Sequence, residues 1–359
     1  MTVRRTLVLI GLAASCALVA GAVVPAAAGT PGSPAQAGTA QPPTVLGPTL
    51  AAPTSVTLDA SAATALVSAA GVDTKPTKEW VTRLYNRSIA EALAVPVEWS
   101  GSVGACTAGQ ESRASRAATL TTVNAMRAMV QLPPVELDTE ASSAAQKAAL
   151  LMDANDKLSH APSPSEFPKC WTRAAKSAAG VSNLALGASG AKAIAAYMVD
   201  PGTGNTAVGH RRWILNPTTT RIATGSTPSA NALTVIGLGS SSSVAAPTWI
   251  EWPARGWFPE QLEPNGRWSL SSSDPDVSFS KATVKVQRLW SSGRVARTLK
   301  VKRYTPVVGY GPNTLVFHVK GVGDPKGTTP LRYRVTVSGI TGGSSRTLSY
   351  VVRLYDPTA

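Results

Sequence analysis

The sequence contains little histidine, and this scarcity limits the catalytic chemistry that it can support. Only three histidines occur in 359 residues. His160 and His210 stand fifty residues apart, which excludes the i, i+4 pair of a metalloprotease helix. The G-x-S-x-G turn of serine hydrolases is absent as well. Ser159 adjoins His160, but serine is so abundant in this chain that the pair alone does not indicate a catalytic site.

Long apolar runs are missing after the N-terminal segment. In that segment Arg4 and Arg5 precede an apolar run that ends in three alanines. This order is typical of a secretory signal peptide, which we place at 1–28. No later stretch predicts a transmembrane anchor after cleavage. The sequence therefore predicts a secreted protein, extracellular or associated with a cell wall. Cys16 lies within the apolar run, which leaves lipid attachment as an alternative.

Cysteine is equally scarce. If Cys16 leaves with the signal peptide, Cys106 and Cys170 remain. Two cysteines in an exported chain favour a disulfide over two buried free thiols. We therefore predict a bridge between Cys106 and Cys170 that closes a long loop.

Acidic residues are few, with 20 against 34 basic residues and a net charge of +14. None occurs from Val277 to Gly323, whereas this segment holds nine basic residues. They are Lys281, Lys285, Arg288, Arg294, Arg297, Lys300, Lys302, Arg303 and Lys320. In an exported protein such a segment favours anionic wall polymers or lipid head groups as partners, and not nucleic acid. A basic surface that only contacts solvent is the alternative.

The N-terminal half changes from a low-complexity segment to a helical one. Residues 29–76 are rich in Ala, Thr, Ser, Pro and Gly, and we predict a disordered linker there. Helical spacing starts near Lys78, and we interpret 77–114 as an extension that packs on the following domain. The pattern stays helical from 115 to 200, where Asp138 is a predicted N-cap.

The C-terminal part, 247–359, has short alternating runs between turn residues, which predict an all-β sandwich of immunoglobulin-like type. His318 falls in one of these strands and is interpreted as structural. Four tryptophans cluster at the start of this part, and we expect burial, with stacking on sugars as the alternative. They are Trp249, Trp252, Trp257 and Trp268.

Six blocks stand in order in the middle of the chain: VNAMRAMVQLPPVELDTEASSAAQKAALLM, LSH, SNLALG, AYMVDPG, GHRRWILNP and RIATGS. Together they resemble the CAP superfamily, the SCP/PR-1-like or cysteine-rich secretory proteins, and place such a domain at 115–243. The part after it is similar to a β domain attached to some bacterial secreted members. The resemblance implies an α+β fold, a CAP-type α-β-α sandwich followed by the all-β sandwich.

The resemblance also implies a cleft where, in members with a full site, two histidines and two acidic residues hold a divalent metal. His160 and His210 match the histidines, and Asp200 falls at the second acidic position. Ser182 stands where the first Glu is usual, immediately before Asn183. This departure leaves no evident general base for a metal-bound water.

Asn205 lies in the glycine-rich loop before His210, and we expect it to bond to backbone beside the cleft. The leading hypothesis is a non-catalytic extracellular binding module for lipid, peptide or a cell-wall ligand. A peptidase-like hydrolase assisted by zinc or another divalent cation is the first alternative, with His160 and His210 as metal ligands and Asp200 as a third. A structural protein of the cell wall is the second.

Overall fold

The structure is a computed structural model that describes residues 76–202, 204–241 and 246–359. The predicted signal peptide and Cys16 lie outside the described residues, and so does the predicted linker apart from Pro76. The domain boundary predicted near 243–247 falls partly on residues 242–245, which also lie outside them.

Helices fill most of the first half of the described chain. The α-helices are α1 (Lys78–Tyr85), α2 (Glu91–Ala94), α3 (Arg113–Met129), α4 (Thr139–Asn155), α5 (Arg173–Gly180), α6 (Gly190–Val199) and α7 (Gly209–Ile214). A π-helical turn, Asn86–Ala90, joins α1 to α2.

Side-chain caps explain where several helices begin. Asp138 precedes α4, and its Oδ1 accepts a hydrogen bond from the Ala141 N–H at 2.9 Å, as predicted. Thr172 caps α5 in the same way through the Ala175 N–H. Ser189 precedes α6, but its hydroxyl donates to the Pro228 carbonyl and does not cap the helix.

A four-stranded sheet forms the middle layer of this half, with the order β1-β3-β4-β2. Its strands are β1 (Glu136–Leu137), β2 (Ser182–Leu186), β3 (Arg221–Ser226) and β4 (Ala230–Thr234). Helices α4 and α5 pack on the sheet with Leu151, Met152 and Phe167. Helices α3 and α6 belong to a different apolar cluster, which includes Met126 and Ile194. The predicted α-β-α layering is therefore present.

One close approach in this domain requires glycine. A Cβ at Gly225 on β3 would overlap the backbone of Gln146 on α4. Gln146 Nε2 also donates to the Ser226 carbonyl, and Gln146 Oε1 accepts from the Ser226 N–H. Helix α4 therefore lies directly against β3.

The C-terminal part is a single sheet folded on itself, with the order β5-β7-β10-β9-β8-β11-β12-β6. Its strands are β5 (Trp249–Trp252), β6 (Gly256–Pro259), β7 (Arg267–Ser272), β8 (Thr283–Leu289), β9 (Val295–Arg303), β10 (Thr314–Lys320), β11 (Leu331–Ser338) and β12 (Thr347–Tyr355). The first part of β9 pairs with β8 and its last four residues pair with β10, so β9 joins the two halves.

The two halves of this sheet enclose an aromatic core, as a β-sandwich does. Trp268 of β7 meets Tyr333 of β11 with ring centroids 5.8 Å apart. Trp252 and Trp268 are fully buried, while Trp249 and Trp257 are partly buried. Burial is thus the main role of the tryptophan cluster.

Two buried arginines of α7 connect the helical domain to the sandwich. Arg211 donates to the Arg267 carbonyl at 2.9 Å and to the Ser269 hydroxyl at 3.1 Å, both on β7. Arg212 donates to the carbonyls of Val307 and Pro312, both at 2.8 Å. The GHRRWIL segment therefore forms hydrogen bonds that join the two domains.

The segment before α3 contacts both domains. Thr82 of α1 hydrogen-bonds to the Tyr355 hydroxyl of β12 at 2.9 Å. A hairpin with the bridge Trp99–Glu111 follows α2, and Cys106 near its tip forms the predicted disulfide with Cys170. Among the described helices, none is both long and apolar enough to cross a membrane.

Candidate functional site

The structure brings His160 and His210 close together, although they are far apart in sequence. His160 lies in the loop after α4, and His210 is the second residue of α7. Burial lowers the pKa of His160, the hydrogen bond between its Nδ1 and the Ala179 carbonyl opposes that effect, and charge on His210 lowers the pKa further. The two imidazoles therefore share one electrostatic environment.

Asp200 orients His210. Its Oδ1 accepts from His210 Nδ1 at 2.8 Å, and its Oδ2 accepts from the Arg211 N–H at 3.3 Å. The side chain is only 1% exposed. Burial would raise the pKa of this carboxyl, but His210 and Arg211 hold it below its ordinary value. The structure places Asp200 as the partner of His210, with both its oxygens already accepting hydrogen bonds.

Asn205 supports the same arrangement from the glycine-rich loop. Its amide nitrogen donates to Asp200, and its Oδ1 accepts from the Val208 N–H at 3.1 Å. Val208 is buried and has a φ of 46°, which is unfavourable for a β-branched residue. The surrounding contacts hold this strained residue directly before the helix that carries His210.

Ser182 and Asn183 lie side by side on β2 and have different roles. Asn183 donates to the backbone carbonyl of His210 at 3.1 Å, so β2 helps to position α7. The Ser182 hydroxyl donates to the Ala178 carbonyl at 2.7 Å and lies 2.9 Å from the Thr234 hydroxyl. Ser182 is therefore held by backbone and by a neighbouring strand.

Tyr197 is a member of this site that the sequence reasoning did not identify. Its ring stacks on His210 with centroids 5.1 Å apart, and its hydroxyl donates to Asn231 Oδ1 at 2.9 Å. The signal was present, because Tyr197 stands three residues before Asp200 on α6. It went unnoticed because an aromatic residue on a helix is usually a core residue.

The comparison with protein families concerns this same part of the chain. Residues 120–237 match the model of the cysteine-rich secretory protein family, CAP. They form a CAP domain. The matched residues include His160, Ser182, Asp200 and His210, and they end before β5. No curated protein and no solved structure matches the chain.

The CAP domain has only part of a metal-ligand set. Each histidine uses Nδ1 in a hydrogen bond to a carbonyl or a carboxylate, as metal-ligating histidines usually do, and so keeps Nε2 available. A catalytic zinc normally takes three protein ligands. Within the ranges described above, no group of three His, Cys, Asp or Glu residues is placed to hold a metal. The side chains present therefore do not fit a complete catalytic metal site.

A second polar site in the described structure surrounds Glu111, on the hairpin before α3. This carboxyl is 2% exposed and lines a cavity of about 280 Å³ together with Arg116, Ser143 and Gln146. Its Oε2 accepts from the Ser115 hydroxyl at 2.7 Å, while its Oε1 has no hydrogen-bond partner. No sequence pattern indicated this buried acid, since a single Glu between Gln and Ser has no periodicity.

Proposed function

We propose that this protein is exported and that its CAP domain is a non-catalytic binding module, with the ligand site around His160 and His210. The observation that carries this proposal is the state of Asp200 and Ser182. The oxygens of both side chains, which are the carboxylate and hydroxyl groups of this site, are engaged in hydrogen bonds within the fold. The imidazoles of His160 and His210, with the tyrosine that stacks on His210, remain to recognise a ligand.

The N-terminal pattern and the Cys106–Cys170 disulfide support export, because disulfides persist in oxidising compartments. The ligand classes that we propose are lipid, peptide or an anionic cell-wall polymer met outside the cell. The functions of CAP domains cannot be assigned from the fold alone, since function depends on the site that a fold carries.

A metal-assisted hydrolase is the second candidate. It is favoured by the hydrogen bonds at both Nδ1 atoms, which would orient His160 and His210 for metal binding through Nε2. A hydrolase of this kind would need a further ligand and a general base from outside the described set.

One experiment separates the two candidates. The full chain is titrated with zinc by calorimetry beside His160→Ala and His210→Ala, and His318→Ala serves as the control on β10. The binding-module proposal predicts no one-to-one zinc binding at micromolar concentrations and no zinc-dependent hydrolysis of peptides. Tight binding lost in both cleft variants but retained in the control, with peptide turnover lost in His160→Ala, would establish the hydrolase instead.

A further inference from the structure

We infer that the outer face of the β-sandwich binds a linear anionic polymer outside the cell through four lysines: Lys285, Lys300, Lys302 and Lys320. These four residues are called the lysine face. The inference rests on the export part of the proposed function. It does not depend on the proposed ligand site around His160 and His210, which is called the histidine site.

Strand alternation places these side chains on the solvent side of the sheet. On β9, Lys300 and Lys302 are exposed, while Leu299, directly before Lys300, is buried. On β10, the exposed Lys320 follows the buried Val319. Because side chains alternate between the faces of a strand, the lysines lie opposite the core.

Strand β8 adds one lysine on the outer side of the neighbouring half of the sheet. Lys285 is exposed and stands next to Val286, which is buried in the core and pairs with Leu299 of β9. On the neighbouring strand β11, Lys285 pairs with Thr336, a neutral residue. Lys285 therefore stands on the β8 half of the sheet, next to the point at which β9 leaves β8 and begins to pair with β10.

One cross-strand pair on this face brings two ammonium groups directly opposite each other, because Lys300 pairs with Lys320. Lys302 pairs with His318. Like charges at such positions destabilise a sheet. Among the residues that the structure describes, the ion pairs are His210–Asp200, Arg221–Asp138 and Arg255–Glu251, so no carboxylate neutralises these lysines. A bound anion would relieve the repulsion.

The use of lysine indicates what kind of anion fits. Arginine recognises one phosphate or carboxylate with a fixed two-point geometry, whereas lysine acts as a flexible point charge. Four lysines on three strands therefore suit repeated charges along a chain, which several side chains can contact at once. The Lys302 ammonium also lies 5.4 Å from the Tyr304 ring, so the face has one aromatic border.

A membrane surface fits these observations less well. Stable attachment to a membrane usually needs an apolar or lipid anchor besides basic residues. The large exposed apolar side chains of the described chain are Trp290, Val295 and Val308. The first two flank the β8–β9 turn and the third lies in the β9–β10 loop, so none of them is paired with a member of the lysine face.

The test measures binding of the full chain to linear poly(glycerol phosphate) as a function of salt concentration, with dextran as the neutral polymer. The variant combines Lys285→Gln, Lys300→Gln and Lys320→Gln. Its matched control combines Lys169→Gln, Lys176→Gln and Lys192→Gln, which remove the same charge from exposed positions of the helical domain.

We expect salt-sensitive binding that falls roughly tenfold or more in the lysine-face variant, and a shallower dependence of its affinity on salt concentration, because fewer counterions are released. The control should keep most of the affinity. Equal loss in both variants, or no binding by the unmodified chain at low salt, would overturn the inference. Tighter binding to phosphatidylglycerol-containing vesicles than to the polymer would overturn it in favour of a membrane.

The variants also keep this inference separate from the proposed function. If His160→Ala and His210→Ala lost polymer binding while the lysine-face variant kept it, the polymer would be a ligand of the histidine site and this inference would be wrong. Because the four lysines are exposed and two of them repel each other, the lysine-face variant should fold, and its thermal unfolding midpoint checks this.

Discussion

Glu111 is a buried residue that makes the stability of this fold depend on pH. Burial raises the pKa of its carboxyl to about 7, and the Ser115 hydroxyl and Arg116 offset only part of that effect. The folded state therefore holds the Glu111 proton more tightly than the unfolded state does. Its stabilising effect is fully present below the ordinary pKa of 4.5 and is lost as the pH rises through about 7.

Glu111→Gln should make the free energy of unfolding less dependent on pH between those two values. The expected difference is at most about 3 kcal/mol, because the amide keeps the shape of the side chain but does not titrate. Urea unfolding at several pH values measures it, with the exposed Glu140→Gln as the control. If Glu111→Gln kept the full pH dependence of the unmodified chain, the burial of a titrating Glu111 would not be the cause.

The residues of the histidine site could be identified from the sequence, but their roles could not. His160, His210 and Asp200 could be selected from the sequence because the CAP blocks contain them, and Asn205 because it lies in the glycine-rich loop before His210. Their roles could not be predicted from the sequence, since the hydrogen bonds of Asp200 to His210 and to the Arg211 backbone depend on how the chain turns between α6 and α7. The sequence therefore indicated which residues belong to the candidate site, and the structure shows which hydrogen bonds each of them makes.

Among the secondary-structure elements, the helices and outer strands were the most predictable. Strands β11 and β12 alternate between buried and exposed positions, as their sequences do. Strands β2 and β4 are buried along their whole length, so they show no alternation. Strand β7 is also buried at nearly all of its residues.

Helix capping gives a prediction at this scale. Asp138→Ala should lower the free energy of unfolding by about 1 to 2 kcal/mol, because it removes the cap of α4 and the ion pair with Arg221. Ser189→Ala is the matched control, since Ser189 precedes α6 without capping it, and we expect less than about 0.5 kcal/mol there. Urea unfolding compares the two, and equal losses would show that capping is not what distinguishes them.

For the whole molecule, the contact between the CAP domain and the sandwich depends on Arg211. The side chain is fully buried and donates to the Met198 and Val199 carbonyls on one side and to Arg267 and Ser269 on the other. Burial lowers its pKa to about 10, while Asp200 opposes that effect. Arg267 in turn donates to the Asp200 carbonyl at 2.9 Å, so the sandwich also supports the histidine site.

Arg211→Met should therefore uncouple the two domains. Four acceptors would lose their charged donor, two in buried and two in part-buried hydrogen bonds, which costs at least about 3 kcal/mol. Scanning calorimetry should show one transition for the unmodified chain and two for the variant, with the exposed Arg173→Met unchanged. A single transition at an unaltered midpoint in Arg211→Met would contradict this account of the contact.

Taken by itself, the sequence determined the CAP assignment, the helices and alternating strands, and the Cys106–Cys170 pairing, which is the one pairing open to these two cysteines. These depend on local periodicity, turn residues and ordered sequence blocks. Only the tertiary structure decided which distant groups meet: His160 beside His210, Glu111 without a partner for one oxygen, and lysines aligned on one face. The reason is physical, because burial and hydrogen-bond partners are set by contacts between segments far apart in the chain.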